Sequence, residues 1–391
     1  MIVYRRLCFA VFLLSLVATG LCAKGEEKSE TPLIAFEDGG KWGFLSATGK
    51  ILIEPKFDFA GDFEAGFAKV GLENKLRLID AAGKEQFQFP AGIQRTRGIA
   101  EGRIWVEEPT KRKWGLCDTQ GKILLEPKFD DVREFSEGLA AVNVGAKRED
   151  ARVFDGEWGY VNTKGELVIP LRFEFAQPFS EGLAEVWEKE SALFIDKAGK
   201  VVLDIRKIES DFGSVGHFRE GLVPLHVDRS LQGQPWLTRF LSREGKTEFE
   251  VAGYADEFQE GLAVIKVGQG KAEEDYRGTH GYIDKRGKLA IPVSFAEAFP
   301  FSEGLAGVRT KKTTVWGKGD TWGFINKTGK YRIEPQFNEV RSFRGGAAAV
   351  HLGGELRDDV VHAPPHWVGG EWWLIDSTGK KLKRTFVDRK E

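Results

Sequence analysis

The chain has 391 residues and a formal net charge of −2, with acidic and basic residues mixed along its length. This balance argues against a protein that binds nucleic acid or an anionic membrane through bulk positive charge. Two of the three cysteines, Cys8 and Cys22, fall among the first 23 residues. The remaining one, Cys117, has no cysteine partner after that segment, so we expect burial rather than disulfides to stabilise the fold and Cys117 to be a small core residue.

The first 23 residues have the pattern of a cleaved signal peptide. Arg5 and Arg6 precede an apolar run over residues 7–17, which is shorter than the roughly 20 residues that a membrane span needs. We therefore predict a signal peptide over 1–23, a flexible charged leader over 24–32 and no membrane span after signal removal. The mature protein would be periplasmic, in the cell envelope or extracellular. A lipid anchor on Cys22 stays an alternative, although the bulky Leu21 precedes it.

From residue 33 to residue 391 the sequence is a tandem array. One clear unit has the head Trp158-Gly159-Tyr160-Val161, a turn at Gly165, an apolar triplet before Pro170, and the tail Phe179-Ser180-Glu181-Gly182-Leu183. We count about eight full units and a truncated ninth. The turn glycines recur every 34 to 50 residues, at positions 49, 83, 121, 165, 199, 245, 287, 329 and 379. Such a period indicates one supersecondary unit with loops of variable length.

Each unit predicts a β-meander of three or four short strands, because β-branched and aromatic runs alternate with Gly turns and no helical period is present. Prolines such as Pro170 predict strand ends or edge strands. The fold class is therefore all-β, either a propeller-like ring or an open β-solenoid of stacked hairpins. The segment Leu33 to Phe36 resembles the last strand of a unit, and the chain ends on a first hairpin. We expect these two pieces to complete one unit between them.

In order and composition, these pieces resemble the WG-repeat family of bacterial proteins. The Trp-Gly head, the Asp/Asn-x-x-Gly-Lys turn, the Ile-x-Pro-x-x-Phe middle and the Phe-Ser-Glu-Gly-Leu-Ala-x-Val tail recur over roughly residues 33–383. The resemblance implies an exported β-rich repeat protein that mediates binding, and it carries no catalytic residue to this chain.

The heads are the most conspicuous candidate positions. Because every unit shares the same interface, we interpret them as residues that pack unit on unit, with the Gly allowing close backbone approach; a tryptophan platform for sugars is the alternative. These structural repeat positions are Trp42, Gly43, Trp114, Gly115, Trp158, Gly159, Trp322, Gly323 and Trp372. The repeated glutamates of the tail are interpreted as solvated turn residues, with an acidic rim for cations or basic partners as the alternative. They are Glu137, Glu181, Glu220, Glu260 and Glu303.

Function is expected where the units differ. The segments between a tail and the next head vary most, and in a repeat fold they project from one face. They are Asn143–Gly156, Val227–Pro235, Gly268–Thr279, Arg309–Asp320 and Leu352–Gly370. We predict a non-enzymatic binding or scaffold protein that engages a protein or glycan partner through these loops. The alternative is a hydrolase with an acidic site in a central channel.

The sequence contains no pattern that indicates a catalytic, cofactor or metal site. It has no nucleophile elbow, phosphate loop or dinucleotide glycine motif. His362 and His366 are spaced i, i+4, but two prolines between them prevent a regular helix. Acidic runs such as 273–275 and 358–359 are interpreted as solvated charge. We therefore expect no cofactor, no metal and no catalytic residue.

Overall fold

The computed structural model of the protein describes residues 33–90, 93, 95–149, 152–229, 234–268, 278–310, 321–357 and 366–385. Within these ranges the chain is built from β-strands, and the one helix among them is the four-residue α1 (Ile205–Ile208). A search of the same ranges finds no helix with the length and apolar character of a membrane span. The predicted signal peptide (1–23) and leader (24–32) lie outside the described residues.

The strands form nine consecutive antiparallel sheets, which we call blades 1 to 9. Blade 1 has β1 (Leu33–Asp38), β2 (Lys41–Ser46) and β3 (Ile51–Phe57). Blade 2 has β4 (Phe59–Ala60), β5 (Phe67–Leu72), β6 (Lys75–Asp80) and β7 (Glu85–Gln88). Blade 3 has β8 (Thr96–Ala100), β9 (Arg103–Glu108), β10 (Lys113–Asp118) and β11 (Ile123–Phe129).

The central blades follow the same order, and blade 4 carries an extra hairpin. Blade 4 has β12 (Asp131–Val132), β13 (Leu139–Val144), β16 (Glu157–Asn162) and β17 (Leu167–Phe173), with β14 (Lys147–Glu149) and β15 (Arg152–Phe154) as the hairpin. Blade 5 has β18 (Phe175–Ala176), β19 (Ala184–Glu188), β20 (Ser191–Ile195) and β21 (Val201–Asp204). Blade 6 has β22 (Phe212–Val215), β23 (Val223–Val227), β24 (Leu237–Leu241) and β25 (Thr247–Ala252).

The last three blades complete the array, and blade 9 also carries an extra hairpin. Blade 7 has β26 (Tyr254–Ala255), β27 (Ala263–Val267), β28 (Thr279–Ile283) and β29 (Leu289–Phe295). Blade 8 has β30 (Glu297–Ala298), β31 (Leu305–Arg309), β32 (Trp322–Asn326) and β33 (Tyr331–Phe337). Blade 9 has β34 (Glu339–Val340), β35 (Ala347–Leu352), β38 (Glu371–Asp376) and β39 (Lys381–Thr385), with β36 (Glu355–Arg357) and β37 (His366–Val368) as the hairpin.

Each blade combines the tail of one sequence unit with the head of the next. In blade 4 the tail strand β13 pairs with the head strand β16, and Val142 lies opposite Gly159. The variable segment between a tail and the next head is therefore the connection between the second and third strands of a blade. The repeated Gly turn after each head joins the third strand to the fourth.

The nine blades close into a propeller, as blade 9 lies against blade 1. Phe36 and Leu45 of blade 1 share a buried cluster with Leu374 of blade 9, and Lys383 Nζ lies 2.7 Å from Asp38 Oδ2. The prediction of an all-β, propeller-like ring is confirmed, and the open-solenoid alternative is wrong. The number of blades exceeds the four to eight typical of propellers.

The expectation that the first strand and the last hairpin complete one unit agrees with the structure, because a unit spans two neighbouring blades and Phe36 of β1 packs with Leu374 of β38 across the seam. β1 pairs along its whole length with β2 of its own blade, and β39 belongs to blade 9. The reason for this pairing is local. Gly39 and Gly40 both have positive φ, at 60° and 79°, so they form a two-residue turn that folds β1 directly back on β2.

Aromatic pairs between neighbouring blades build the core. The aromatic residue after the Trp-Gly head packs against the tail Phe of the next blade, and the ring centroids are about 5 Å apart in each pair. These pairs are Phe44–Phe63 (4.8 Å), Tyr160–Phe179 (5.0 Å), Tyr282–Phe301 (4.9 Å) and Phe324–Phe343 (4.9 Å). Tyr160 and Tyr282 also donate their hydroxyls to the carbonyls of Gln177 and Phe299 at 2.8 Å. Each blade is thus held to the next by buried apolar area and by satisfied polar tips.

The head glycine is required by a bulge in the fourth strand. Across from Gly159 the return strand β17 bulges at Pro170, and a Cβ on Gly159 would lie 2.6 Å from the Ile169 carbonyl oxygen. The same clash recurs at Gly43, Gly115, Gly281 and Gly323. The repeated prolines therefore lie inside the edge strands, at these bulges. The edge-strand prediction is confirmed at Pro170, while its alternative as a strand end is wrong.

Candidate functional site

The ring has two unlike faces, which follow from the strand order. In a four-stranded meander, the first–second and third–fourth connections leave one end of the sheet and the second–third connection leaves the other. We call the end with the Glu-Gly and Asp/Asn-x-x-Gly turns the turn face. We call the end with the second–third connections the loop face.

On the turn face, each tail forms a two-residue hairpin turn with an unusual glutamate. Glu181 and Gly182 both have positive φ, at 53° and 80°, between the paired Ser180 and Leu183. Positive φ at both central positions is the requirement of a type I′ turn, and for a glutamate this conformation is strained. The same pair of angles recurs at Glu137, Glu220, Glu260 and Glu303. A strain repeated at these five glutamates calls for a compensating interaction.

That interaction is a hydrogen bond from the next blade. The glutamate carboxylate accepts the backbone N–H of the glycine in the neighbouring turn, at 2.8–3.0 Å. The pairs are Glu101 with Gly138, Glu137 with Gly182, Glu181 with Gly221, Glu220 with Gly261, Glu260 with Gly304 and Glu303 with Gly346. We call this bond the glutamate latch. The interpretation of these glutamates as solvated turn residues was therefore incomplete, since each one links two blades.

Other groups reinforce the latches. A lysine from the third–fourth turn of the next blade lies 2.8–3.1 Å from the latch carboxylate in the pairs Lys197–Glu137, Lys285–Glu220 and Lys327–Glu260. Partial burial opposes ionisation of Glu220, but Lys285 and the Gly261 N–H hold its pKa below the usual value. Ser136, Ser180 and Ser302 each donate to the tail Phe carbonyl of the next blade at 2.7 Å. The polar groups of the turn face are thus largely used in holding the ring together.

The loop face differs from blade to blade. Blades 1, 2 and 5 have two-residue connections at Gly39–Gly40, Glu73–Asn74 and Lys189–Glu190, and blade 3 has a short one at 109–112. The long connections belong to blade 4 (145–156) and to the consecutive blades 6 to 9 (228–236, 268–278, 310–321 and 353–370). All five predicted variable segments are second–third connections, so they leave the ring at the same face. Residues 150–151, 230–233, 269–277, 311–320 and 358–365 of these segments lie outside the described residues.

Buried polar side chains brace the bases of the long loops. Asn143, at the end of β13, donates its Nδ2 to the Asp155 carbonyl at 3.2 Å, and His351, at the equivalent point of β35, bonds the Gly369 carbonyl at 3.0 Å. Both residues are nearly inaccessible. They lie opposite the head tryptophans Trp158 and Trp372 in the sheet register. Sequence reasoning missed this position, and its signal was a polar residue directly after the tail's apolar strand.

In blade 6 the same position is taken by His226. Its Nε2 bonds the Ala255 carbonyl at 2.9 Å, its Nδ1 lies 3.0 Å from Ser214 Oγ, and its ring stacks on Tyr254 at 3.9 Å. Burial lowers the pKa of His226, so the ring is neutral at pH 7 and donates from Nε2. Trp236, at the end of the blade 6 loop, is partly exposed and meets Tyr254 edge-on. This part of the loop face therefore presents aromatic surface.

The head tryptophans are covered. Trp114, Trp158, Trp322 and Trp372 are buried, and Trp42 is half-buried. The guanidinium of Arg133 lies over Trp158 at 4.6 Å, and Phe299 packs on Trp322 at 4.7 Å. The three clusters that hold Trp114, Trp158 and Trp322 each take residues from two adjacent blades. Buried rings cannot serve as platforms for sugars, so Trp114, Trp158, Trp322 and Trp372 act in packing.

One group of titratable residues breaks the repeat between blades 5 and 7. His217 directs both its backbone N–H and its Nδ1 to Glu257 Oε1 at 2.7 Å. This hydrogen bond raises the pKa of His217, and His217 in turn lowers the pKa of the partly buried Glu257. Glu185 is buried at the position that holds Ala141 in blade 4 and Gly307 in blade 8, and it accepts the Trp187 Nε1–H at 2.8 Å. Burial raises the pKa of Glu185.

The remaining candidates do not come together as a site. Cys117 is buried, and burial raises the pKa of its thiol to about 12, which makes it unreactive. Within the described ranges, no three His, Cys, Asp or Glu side chains are grouped so as to hold a metal ion. His362 and both acidic runs, 273–275 and 358–359, lie outside the described residues.

Comparison with known proteins agrees with the repeat and the fold. The family of the WG containing repeat matches residues 42–75, 114–147, 158–186, 281–312 and 322–355. A crystal structure described as the eukaryotic initiation factor is 12% identical, covers 90% of this chain and 95% of its own, and has a TM-score of 0.55. The WD40 β-propeller domain of Doa1 is 12% identical, with 71% and 89% coverage and a TM-score of 0.31. No curated protein matches the sequence. At such identities the first similarity shows the fold alone.

Proposed function

This chain belongs to the family of proteins with WG-containing repeats, and on that premise we propose that it is a non-enzymatic binding or scaffold protein. Its loop face engages a protein or glycan partner, and it acts after export, in the periplasm, the cell envelope or outside the cell. The propeller supplies a rigid frame, and the second–third loops supply the recognition surface.

The contrast between the two faces supports this function. On the turn face the same glutamate, serine and lysine contacts recur from blade to blade, so that face is built to hold the ring. On the loop face the connections range from Gly39–Gly40 to 353–370, and their bases are braced by buried polar residues such as Asn143 and His351. Bracing a long loop at its base limits the ordering entropy that binding costs.

The long loops are also unevenly distributed. They cluster on blades 6 to 9, while blades 1 to 3 and 5 have short connections. A partner that used the whole ring equally would not need this asymmetry. We therefore assign the main contact region to the loop face of blades 6 to 9. At its edge, Trp236 and Val368 expose apolar surface, and aromatic and apolar anchors are typical of contact centres.

The test replaces each long loop by Gly-Gly, copied from the blade 1 connection. Tagged full chain and loop variants are used to capture partners from extracts of the source envelope and, separately, on a glycan array. We expect loss of capture when the loops of blades 6 to 9 are shortened together. Lys285→Ala on the turn face serves as the control and should capture normally. Equal capture by the unmodified chain and by a variant in which all five long loops, those of blades 4 and 6 to 9, are replaced would refute the loop-face function.

Export is tested separately. The chain with residues 1–23 and a version without them are expressed in a Gram-negative host, and the cell fractions are probed. We expect only the first version outside the cytoplasm, with the mass of a chain processed near residue 23. Retention of both in the cytoplasm would refute export.

A further inference from the structure

The third–fourth turns of the turn face carry a lysine at one repeated position. It directly follows the turn glycine in eight of the nine blades, and blade 4 has Glu166 there. In seven of the eight, the side chain that begins the turn accepts the backbone N–H of the lysine, as Asp196 Oδ1 accepts that of Lys200 at 2.9 Å. The backbone is thus fixed, while all eight lysines are exposed. They are Lys50, Lys84, Lys122, Lys200, Lys246, Lys288, Lys330 and Lys380.

The charge of these turns is distributed unevenly around the ring. Each turn is counted over the seven residues that start at its first Ser, Asp or Asn. The turns of blades 2 to 6 then carry seven basic and seven acidic residues, whereas those of blades 7, 8, 9 and 1 carry nine basic and two acidic ones. Blades 7, 8, 9 and 1 are neighbours, because blade 9 lies against blade 1. We call their turns, 284–290, 326–332, 376–382 and 46–52, the basic arc.

Several cations of the basic arc can meet an external anion without breaking a contact. The acid in a turn is occupied by its own backbone, since Asp376 accepts the N–H groups of Thr378 and Lys380 at 2.9 and 3.1 Å. Lys285 and Lys327 are already bonded to latch carboxylates. Four other lysines of the arc form no ion pair with any residue in the described ranges. They are Lys50, Lys288, Lys330 and Lys380.

Exposed aliphatic side chains lie beside these lysines. Leu289 directly follows Lys288 and is 56% exposed, the largest fraction among the large hydrophobic residues in the described part of the chain. Leu52, two residues after Lys50, is 42% exposed. Both belong to fourth strands, which are the edges of their sheets. Scattered exposed leucines are common on protein surfaces, but leucines set among lysines without ion pairs make this arc amphipathic.

We propose that the basic arc binds the surface of an anionic membrane, with its lysines on lipid phosphates and with Leu52 and Leu289 at the boundary of the acyl chains. An anionic bilayer attracts lysines and accommodates aliphatic side chains, whereas a soluble polyanion offers nothing to the leucines. The four turns leave the ring on one face, so they can contact one surface together. The net charge of −2 for the whole chain does not oppose this contact, because salt screens charges beyond about 10 Å. The proposal is independent of the loop-face function.

The lysines are tested by sedimentation of the full chain with vesicles of equal parts phosphatidylcholine and phosphatidylglycerol. One variant changes the four lysines of the arc to glutamine, and the matched control changes Lys84, Lys122, Lys200 and Lys246, at the same turn position of other blades. Both variants lose four positive charges. Since a lysine near an anionic surface strengthens binding roughly fivefold, we expect the first to bind at least about tenfold more weakly and the control to change by less than about twofold. Equal losses in both variants would overturn the assignment to the arc.

The leucines distinguish a membrane from a soluble polyanion. Leu52→Ser with Leu289→Ser should weaken vesicle binding at least about fivefold and leave binding to inorganic polyphosphate unchanged. Leu167→Ser with Val168→Ser, which are similarly exposed in blade 4, is the control and should change neither. Vesicles of phosphatidylcholine alone measure any contribution of the apolar run at 7–17, which all variants keep, and thermal unfolding verifies that each variant folds. No excess binding to the anionic vesicles, or polyphosphate binding as tight as vesicle binding, would overturn the proposal.

Discussion

The glutamate latch can be distinguished from an ordinary turn residue by the direction in which a Glu→Gly substitution changes the free energy of unfolding. Glu220 is the most informative example, because its carboxylate accepts the Gly261 N–H at 3.0 Å, pairs with Lys285 at 2.8 Å and has φ of 54°. Two substitutions are compared. Glu220→Ala removes the carboxylate and keeps a side chain at positive φ, while Glu220→Gly removes the carboxylate and also relieves the backbone strain.

The two roles of Glu220, latch residue or solvated turn residue, predict different changes in the free energy of unfolding. A hydrogen bond to a charged group contributes about 1.5–3 kcal/mol, and a partly exposed ion pair adds at most about 1 kcal/mol. Relief of left-handed strain gains about 1–2 kcal/mol, of which the extra freedom of glycine in the unfolded chain cancels about 0.4–1 kcal/mol. With the latch, we expect Glu220→Ala to destabilise by roughly 2–3 kcal/mol and Glu220→Gly by roughly 1–2 kcal/mol. If Glu220 were only a solvated turn residue, Glu220→Gly would instead increase the free energy of unfolding of the protein.

Stability is measured by denaturant unfolding, together with hydrogen exchange of the peptide that contains Gly261. The local readout matters because long repeat arrays do not always unfold in a single step. Glu126→Ala, an exposed acid on β11, is the control and should change neither measurement. Since the pKa of Glu220 is lowered on folding, the latch contributes fully above about pH 4.3 and is lost as the pH falls through the folded pKa. A stabilised Glu220→Gly, or unchanged Gly261 exchange in Glu220→Ala, would refute the latch.

Two further predictions concern the head glycine and the histidine pair. Gly159→Ala should destabilise the chain by about 1–3 kcal/mol in thermal unfolding, because its Cβ would lie 2.6 Å from the Ile169 carbonyl oxygen. Gly61→Ala is the control and should destabilise the chain much less, because its Cβ would make an ordinary contact at 3.5 Å. His217 should titrate above its usual pKa of about 6.5 by NMR, and Glu257→Gln should lower that value. Because the pKa of His217 is raised on folding, its contribution to stability is complete below about pH 6.5 and disappears as the pH rises through the folded value. A His217 pKa at the usual value would contradict the hydrogen bond between His217 and Glu257.

Much of the fold was predictable from the sequence because the repeat fixes local structure many times over. All nine predicted turn glycines have positive φ, between 73° and 87°. In these turns a side chain such as that of Asn162 accepts the N–H groups of Lys164 and Glu166, so the Asp/Asn-x-x-Gly pattern encodes the turn directly. The edge position of the proline strands follows from the same local chemistry.

The blade boundaries could not be predicted from a single unit. A sequence unit that runs from head to tail is divided between two blades. Its tail strand pairs with the head of the following unit, and the loop between them can have any length. The roles of Glu181 and Asn143 were missed for a related reason. Gly221, the partner of Glu181, lies in the next blade, and Asp155, the partner of Asn143, lies at the far end of a variable loop. No local sequence pattern therefore predicts either contact.

The separation of the two faces explains how the loops can vary without opening the ring. Blade 5 has the two-residue connection Lys189–Glu190 and blade 6 has the long connection 228–236, yet Glu181 and Glu220 make the same bond to the next blade. Every group in that bond belongs to a turn at the opposite end of the sheet from the loop. The length of the loop therefore does not affect the geometry of the glutamate latch between two blades. The proposed recognition surface on the loop face can therefore change one blade at a time, while closure depends on the turn face and on the seam between blades 9 and 1.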